Sequence, residues 1–249
     1  MTNPPLPAKR YSKPQSAFIL AAGKGTRMRP ITDHTPKPMV TVAGKPLLGH
    51  LIEKLWAENV THITLNTHHL PEVIDKYISS LNRPDIKISY EPVLLDTGGG
   101  VKQALKYIGD SYFYHINGDA FWTEGSEGSA LSRLAERWNP ENMDIILLLQ
   151  PVSSMHVTPG VGDYDLLDNG QAVRSKTQTG AYMFTGVRIT SGVIFNDMPD
   201  ASFSFLTLMD AAEKKGRLYG MVHQGDWHHI STPDDLQAVN THITLIGNI

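Results

Sequence analysis

The 249-residue chain sets 22 lysines and arginines against 25 acidic residues, and its formal charge of −3 argues against a nucleic-acid-binding module, which is usually basic. Its 41% hydrophobic and 19% charged residues are ordinary for a soluble globular protein, and the absence of cysteine excludes a disulfide framework and thiolate metal sites. No apolar run approaches the about 18 residues of a membrane span.

Residues 1–16, with Pro4, Pro5, Pro7 and Pro14, lack the apolar core of a signal peptide and read as a flexible extension of a cytoplasmic protein. Ala17-Phe18-Ile19-Leu20 reads as a short buried strand that opens into a loop of small residues carrying Lys24, Arg27, Arg29 and Lys37. Leu47, Leu48, Leu51, Ile52, Leu55 and Trp56 recur at helical spacing, and residues 62–66 alternate as a strand. The alternation continues with a helix over Val73 to Leu81, a strand over 86–90, a helix after Gly100, a strand over 112–116, a helix near 131–138 and a strand over 145–149. Such alternation predicts an α/β fold with a mostly parallel sheet covered by helices, whose ligands bind beyond the carboxyl ends of the strands. After Gln150 the pattern changes. Residues 151–195 are rich in turn formers, with Asn169-Gly170 as a hairpin signal between 164–167 and 172–173. Phe203 to Lys215 reads as a helix and 218–223 as extended; Thr232 then caps a last helix with Pro233 at its first position. One domain over 17–249 follows, in two parts, about 17–150 and about 151–249.

Gly23 and Gly25 leave room for a phosphate against main-chain N–H groups. The pair is neither a dinucleotide fingerprint nor a Walker A loop, because the third glycine and the Gly-Lys-Ser/Thr triplet are missing. Arg27 suits a forked contact with phosphate oxygens, and Lys37, between Pro36 and Pro38, suits a rigidly held point charge. Asn117-Gly118-Asp119 falls at the carboxyl end of a strand, where Asp119 either holds Mg²⁺ or caps a turn. Thr97-Gly98-Gly99-Gly100 places flexible backbone at the start of a helix, as a ligand-binding or simply mobile loop.

Leu20 to Pro38 resembles the signature of the sugar-1-phosphate nucleotidyltransferases, L-A-A-G-x-G-T-R-x-x-P-x-T-x-x-x-P-K-P, with every fixed position matched. The order of Asp96-Thr97-Gly98-Gly99-Gly100, Asn117-Gly118-Asp119 and Trp227 before Thr232-Pro233 follows the family, and the similarity spans about 17–240. The resemblance implies a Rossmann-like, GT-A-type fold with a mixed sheet and a small acceptor-binding lobe. It implies Arg27, Lys37 and Asp119 as catalytic residues and Mg²⁺, with Mn²⁺ as the alternative, on Asp119. It places Ala21, Ala22, Gly23, Gly25, Thr26, Arg27, Lys37, Glu91, Thr97 and Gly98 around the nucleotide, and Asn117, Asp163, Thr185 and Gly186 around the sugar phosphate.

Two departures stand out. Relatives carry Trp-x-Asp-x-Gly-Thr, whose Asp is a second metal ligand; here the segment is Trp227-His228-His229-Ile230-Ser231-Thr232. His229 therefore ligates a softer metal or contacts phosphate, or Asp226 replaces the missing oxygen, or Asp119 serves alone. Many relatives also carry Glu-Lys-Pro in the acceptor lobe; it is absent here, with Arg174 or Lys176 as a substitute or as solvated hairpin charges.

The implied reaction joins a nucleoside triphosphate to a sugar 1-phosphate and releases pyrophosphate, with no nucleic-acid or membrane partner, in a monomer or small homo-oligomer. The compact length and Leu94-Leu95-Asp96-Thr97-Gly98-Gly99-Gly100 most resemble the N-acetylmuramate-1-phosphate uridylyltransferases. Mannose-1-phosphate guanylyltransferases, cytidylyltransferases of phosphorylated alcohols and a non-catalytic nucleotide-sugar sensor are the alternatives.

Overall fold

The computed structural model describes residues 3, 7, 9–109 and 111–247. Residues 1, 2, 4–6 and 8 of the expected extension, and 248 and 249 at the end of the expected domain, lie outside the described residues. In chain order the elements are β1 (Ser16–Leu20), β2 (Thr41–Val42), β3 (Lys45–Pro46), α1 (Leu47–Ala57), β4 (His62–Thr67), α2 (Pro71–Ser80), β5 (Ile86–Tyr90), α3 (Asp96–Ile108), β6 (Tyr112–Asn117) and β7 (Phe121–Trp122). They continue with α4 (Ala130–Arg137), β8 (Ile145–Pro151), β9 (Tyr164–Leu166), β10 (Ala172–Arg174), β11 (Tyr182–Ser191), α5 (Leu206–Lys214), β12 (Leu218–Val222), β13 (Trp227–His228) and α6 (Pro233–Ile246).

Nine of the strands form one mixed sheet. β1 lies between β4 and β6, parallel to both, and β4 is parallel to β5. β11 runs antiparallel to β6 and leads into the second half, where β8 and β9 pair with it, β12 runs parallel to β8, and β9 and β10 form the expected hairpin. Both faces are covered, and β1 shows why its side chains are almost all apolar: Ala17 and Ile19 enter the core beneath α1, α2 and α4, whereas Phe18 enters the one beneath α3 and α5. Each fully buried aliphatic or aromatic side chain contributes about 1.5–3 kcal/mol of transfer free energy. A third cluster, with Met28, Val40, Val42 and Leu47 against Ile230, Val239 and Ile243, ties the loop after β1 to α6.

Three differences from the sequence reading carry structural lessons. α3 begins at Asp96, so the glycine triplet lies inside the helix. Glycine is required there because a Cβ at Gly98 would meet the Phe203 ring at 2.3 Å, and one at Gly100 would meet Glu91 Oε1 at 2.4 Å. β11, a ten-residue strand, occupies a stretch that reads as turn-rich. The described part of the N-terminal segment is tied to the body, with Lys13 Nζ donating to Glu58 at 2.8 Å and Ser132 at 2.7 Å. The last helix starts as expected: Thr232 caps α6 in a reciprocal arrangement with Asp235, whose Oδ2 also accepts from Ser231 N at 2.9 Å.

Beneath β6 and β11, the Arg188 guanidinium is buried without a carboxylate partner among the described residues. Its Nε donates to His115 Nδ1 at 3.0 Å, and its charge lies 4.3 Å from the Phe205 ring centroid. Burial first, and then the Arg188 charge, hold the His115 pKa well below 6.5, so this imidazole stays neutral in the folded state. The unfolded chain takes up that proton below 6.5 and the folded chain does not. Stability is therefore complete above that pH and falls as pH drops through it, by up to about 1.4 kcal/mol per pH unit for each histidine held neutral. Urea unfolding at pH 7.5, 6.5 and 5.5 is expected to show this decline, and a flat profile would contradict it.

Candidate active site

The strand registers place the polar groups. Parallel pairing sets Leu20 opposite Asn117 and Ile19 opposite Leu65, and β4–β5 pairing sets Thr67 opposite Tyr90. The loop after β1, the amide of Asn66, the loop from Glu91 and the turn Asn117-Gly118-Asp119 therefore meet at one edge of the sheet. Together they enclose a cavity of about 370 Å³. It is lined by Leu20, Ala21, Ala22, Gly23, Gly25, Thr26, Arg27, Lys37, Pro38, Asn66, Leu94, Asp96, Thr97, Asn117 and Asp119.

The loop after β1 is rigid for identifiable reasons. Gly25 has φ +62°, and a Cβ there would meet Thr32 Cγ2 at 2.9 Å. Thr32 Oγ1 in turn donates to the Gly25 carbonyl at 2.8 Å, which explains the signature threonine. Met28 and Pro38 are buried beneath the loop and anchor it from below. Of its four cations, Arg27 and Lys37 line the cavity, Arg29 pairs with Asp33 at 3.1 Å away from it, and Lys24 is exposed. Lys37 Nζ donates to Asp119 Oδ2 at 2.5 Å, joining the loop to the end of β6. Gly118 permits that approach, since a Cβ there would meet the Leu20 carbonyl at 2.5 Å.

The expected nucleotide residues divide. Ala21, Ala22, Gly23, Gly25, Thr26, Arg27, Lys37 and Thr97 line the cavity. Gly98 is buried, with its N–H on the Phe203 carbonyl at 2.9 Å. Glu91 is fully buried behind the wall: Oε1 accepts from Asn66 Nδ2 at 2.7 Å and Oε2 from Leu95 N at 2.9 Å. Its carboxylate is engaged within the protein and does not line the cavity. The group that does is Asn66, whose Oδ1 accepts from Ala21 N at 2.7 Å. Asn66 is absent from the motif reading; its only signal is a polar residue closing an apolar strand. His68 and His69 bond the carbonyls of Glu91 and Thr32, each at 2.8 Å, as loop ties.

The expected sugar residues divide as well. Asn117 lines the cavity, and its Oδ1 is a buried acceptor without a partner. Gly186, at φ +80°, packs against the Asn117 side chain, where a Cβ would lie 2.9 Å from Asn117 Cβ. The Thr185 hydroxyl faces the core and donates to the Leu148 carbonyl at 2.8 Å. Asp163 opens onto a second, neighbouring cavity, with its pKa raised chiefly by burial. Arg174 is committed to Asp210 through two 2.8 Å bonds, whereas Lys176 lines that second cavity.

At the far end, His229 is half-buried, stacked on Trp227, and its Nε2 lies 3.0 Å from Ser231 Oγ. Burial first, then the Lys37 charge, lower its pKa, and the Asp119 charge opposes that shift, so the imidazole feels that pair although it does not line the cavity. Asp226 instead opens onto a separate cavity with Lys54 and Trp122. Among the described residues no cluster of three or more His, Cys, Asp or Glu could hold a metal. The donor set at Asp119 is thus a single carboxylate with a neutral imidazole nearby. That suits a hard cation whose remaining ligands are phosphate and water oxygens. Among the described residues no helix is long and apolar enough to cross a membrane.

Residues 16–158 match the nucleotidyl transferase family. An N-acetylmuramate alpha-1-phosphate uridylyltransferase of Caulobacter vibrioides is 36% identical over 227 residues, covering 88% of this chain and 93% of its own length. The enzyme of that name from Neisseria meningitidis is 34% identical over 221 residues, covering 87% and 93%. Among solved structures, HddC from Yersinia pseudotuberculosis, complexed with GMP-PN, aligns with a TM-score of 0.71 at 26% identity, covering 91% of this chain and 98% of its own.

Replacing Asn66 by Ala strips a buried carboxylate oxygen and the Ala21 N–H of their partners. It is expected to cost about 1–3 kcal/mol in denaturant unfolding. A loss under about 0.5 kcal/mol, the size of a neutral surface change, would show that the pair does not brace the wall.

Proposed function

This chain belongs to the nucleotidyl transferase family, and we propose that it transfers uridylyl from UTP to N-acetylmuramate 1-phosphate, forming a nucleotide sugar and pyrophosphate. The observation that carries the reaction is the Lys37–Asp119 contact of 2.5 Å at the mouth of the loop after β1. It sets a fixed cation and a carboxylate side by side where a triphosphate would enter. The choice of base and sugar is supported by relatives of that name at 36% and 34% identity over most of both chains.

An oxygen of the sugar phosphate attacks the α-phosphorus of UTP in line. The new P–O bond forms as the bond to the β-phosphate oxygen breaks, and that electron pair leaves on pyrophosphate. The nucleophile is already an anion, so the chain needs neither a covalent intermediate nor a general base. Its work is to bring two anions together and to stabilise charge on the leaving group. The N–H groups from Ala22 to Thr26 and the Arg27 guanidinium hold the β- and γ-phosphates, and Lys37 stands at the α-phosphate. Asn117, which lines the cavity, is the residue of the β6 turn that would meet the acceptor. Asp119 would hold Mg²⁺ or Mn²⁺ with His229 nearby, and such an ion when bound supplies charge neutralisation on the phosphate oxygens. His229, neutral at pH 7, offers a lone pair or an N–H without adding charge. The setting is the cytoplasm, where UTP is present.

Lys37→Ala and Asp119→Ala are each expected to lower kcat by at least about 100-fold with far-UV circular dichroism unchanged. Wild-type-like turnover in either folded variant would remove that residue from the mechanism. Pyrophosphate release from UTP, GTP, CTP and dTTP, crossed with N-acetylmuramate, N-acetylglucosamine and mannose 1-phosphates, tests the substrates. The highest kcat/KM is expected for UTP with N-acetylmuramate 1-phosphate, and a preference for GTP with mannose 1-phosphate would overturn the assignment. Binding of UTP without pyrophosphate release from any acceptor would identify a sensor.

A further inference from the structure

We infer that Lys176 reads a carboxylate carried by the acceptor sugar and so selects acidic sugar phosphates over neutral ones. The inference rests on the acceptor reading above and assigns a residue to it. The second cavity, of about 330 Å³, is lined by Asp163, Tyr164, Arg174, Lys176, Phe184 and Leu206 among others. This is a volume within the about 300–1,000 Å³ range typical of small-molecule sites.

Both walls of this cavity continue from the phosphate cleft. On one side Phe184 leads through Thr185 to Gly186, which packs against Asn117 of the cleft. On the other, Leu206 follows Phe205, whose N–H is held by Thr97 Oγ1 of the cleft at 2.9 Å. The two cavities are thus joined through Gly186 on one side and the Thr97–Phe205 hydrogen bond on the other.

The charges lining the cavity separate into spent and unspent. Arg174 gives its fork to Asp210, and its backbone N–H goes to Glu213 at 3.1 Å. Asp163 Oδ2 accepts from Phe184 N at 3.0 Å, and burial raises its pKa. Lys176 makes no ion pair among the described residues. Its turn is fixed over Asp163: Ser175 N donates to the Asp163 carbonyl at 2.7 Å, and Gln178 N and Thr179 N return to Ser175 at 3.2 and 3.1 Å. A fixed turn limits the entropy lost when the lysine engages a ligand.

An apolar wall of Phe184 and Leu206 and one uncommitted cation fit an N-acylated sugar that bears an anionic substituent, and Asp163, already engaged by Phe184 N, is the one carboxylate in the lining. N-acetylmuramate differs from N-acetylglucosamine by a lactyl ether, whose carboxylate is ionised at neutral pH. Without Lys176 that carboxylate would meet Asp163 unopposed. The 1-phosphate is common to both sugars, so comparing them separates the two anions Lys176 could serve.

The test compares wild type, Lys176→Met and Lys176→Arg at saturating UTP, with N-acetylmuramate and N-acetylglucosamine 1-phosphates as acceptors. Lys176→Met is expected to lower kcat/KM for the lactylated sugar about 10- to 100-fold, chiefly through KM, as for loss of a charge-assisted hydrogen bond. The neutral sugar is expected to change by less than about three-fold, and Lys176→Arg to retain most of the preference. An equal fall on both acceptors would overturn the inference in favour of a phosphate contact, and no change on either would make Lys176 a bystander. A wild type inactive on N-acetylmuramate 1-phosphate removes the acceptor reading, and this inference with it. A wild type active on it, with an unaltered Lys176→Met variant, removes the inference alone.

Discussion

The contact between Lys37 and Asp119 is the constraint on which the site depends. The two residues are 82 apart in sequence, and their 2.5 Å bond closes the loop after β1 onto the end of β6. An ion pair this accessible stabilises little by itself, since the Asp119 side chain is 37% exposed and water screens it. Its value is geometric. A lysine on a mobile loop would lose rotamer freedom on meeting a phosphate, whereas Lys37 is already held between Pro36 and Pro38 with its stem against Gly25. The carboxylate that would share a cation with the triphosphate already lies beside the lysine that would contact it. Binding then needs little rearrangement of either group.

The remaining parts of the cleft brace this pair. Thr32 closes the loop on Gly25, Met28 anchors it to the third core cluster, and Asn66 holds Ala21 from the side. The Asn66–Glu91 bridge continues to Leu95, so the loop that would face phosphate and the loop that would face the base share one buried hydrogen-bond chain. The glycine at position 100 belongs to the same chain, because a side chain there would occupy the space of both partners. A triplet that looks like a flexible loop in sequence is rigid helix in the structure, where its glycines admit neighbours rather than motion.

How much was legible in the sequence follows from how local each signal is. The longer strands and helices of the first 150 residues are continuous periodic segments, and apart from the early start of α3 the structure reproduces them within a few residues. The hairpin at Asn169-Gly170 and the cap at Thr232 depend on adjacent residues and are also legible. β11 was not, because Gly186 and Arg188 break its apolar alternation. Arg188 is accommodated there by His115 and by the Phe205 and Phe184 rings, of which His115 lies 73 residues away in sequence. The two-residue strands β7 and β13 are too short to show any period. Within the site, the loop after β1 is a contiguous motif, and its expected residues Ala21, Ala22, Gly23, Gly25, Thr26, Arg27 and Lys37 do line one cavity. Asn66 and the true position of Glu91 depend on the register of β4 against β5, which no single sequence displays.

The division of the molecule explains why a complete signature leaves the substrates open. In the proposed reaction the signature would serve phosphate: small residues for close approach, Arg27 and Lys37 for charge, prolines and a threonine for rigidity. These demands are identical for every nucleoside triphosphate, so the loop carries no information about base or sugar. Discrimination must come from groups that meet parts of the ligands differing between substrates. In this chain the groups proposed for that role are single residues on irregular segments, Asp163 before β9 and Lys176 after β10. Their neighbours are assembled from β11 and α5, more than 20 residues away along the chain from Asp163. A specificity pocket built in this way has no contiguous motif, and its chemistry becomes legible only once the charges around it can be separated into those already satisfied and those still free.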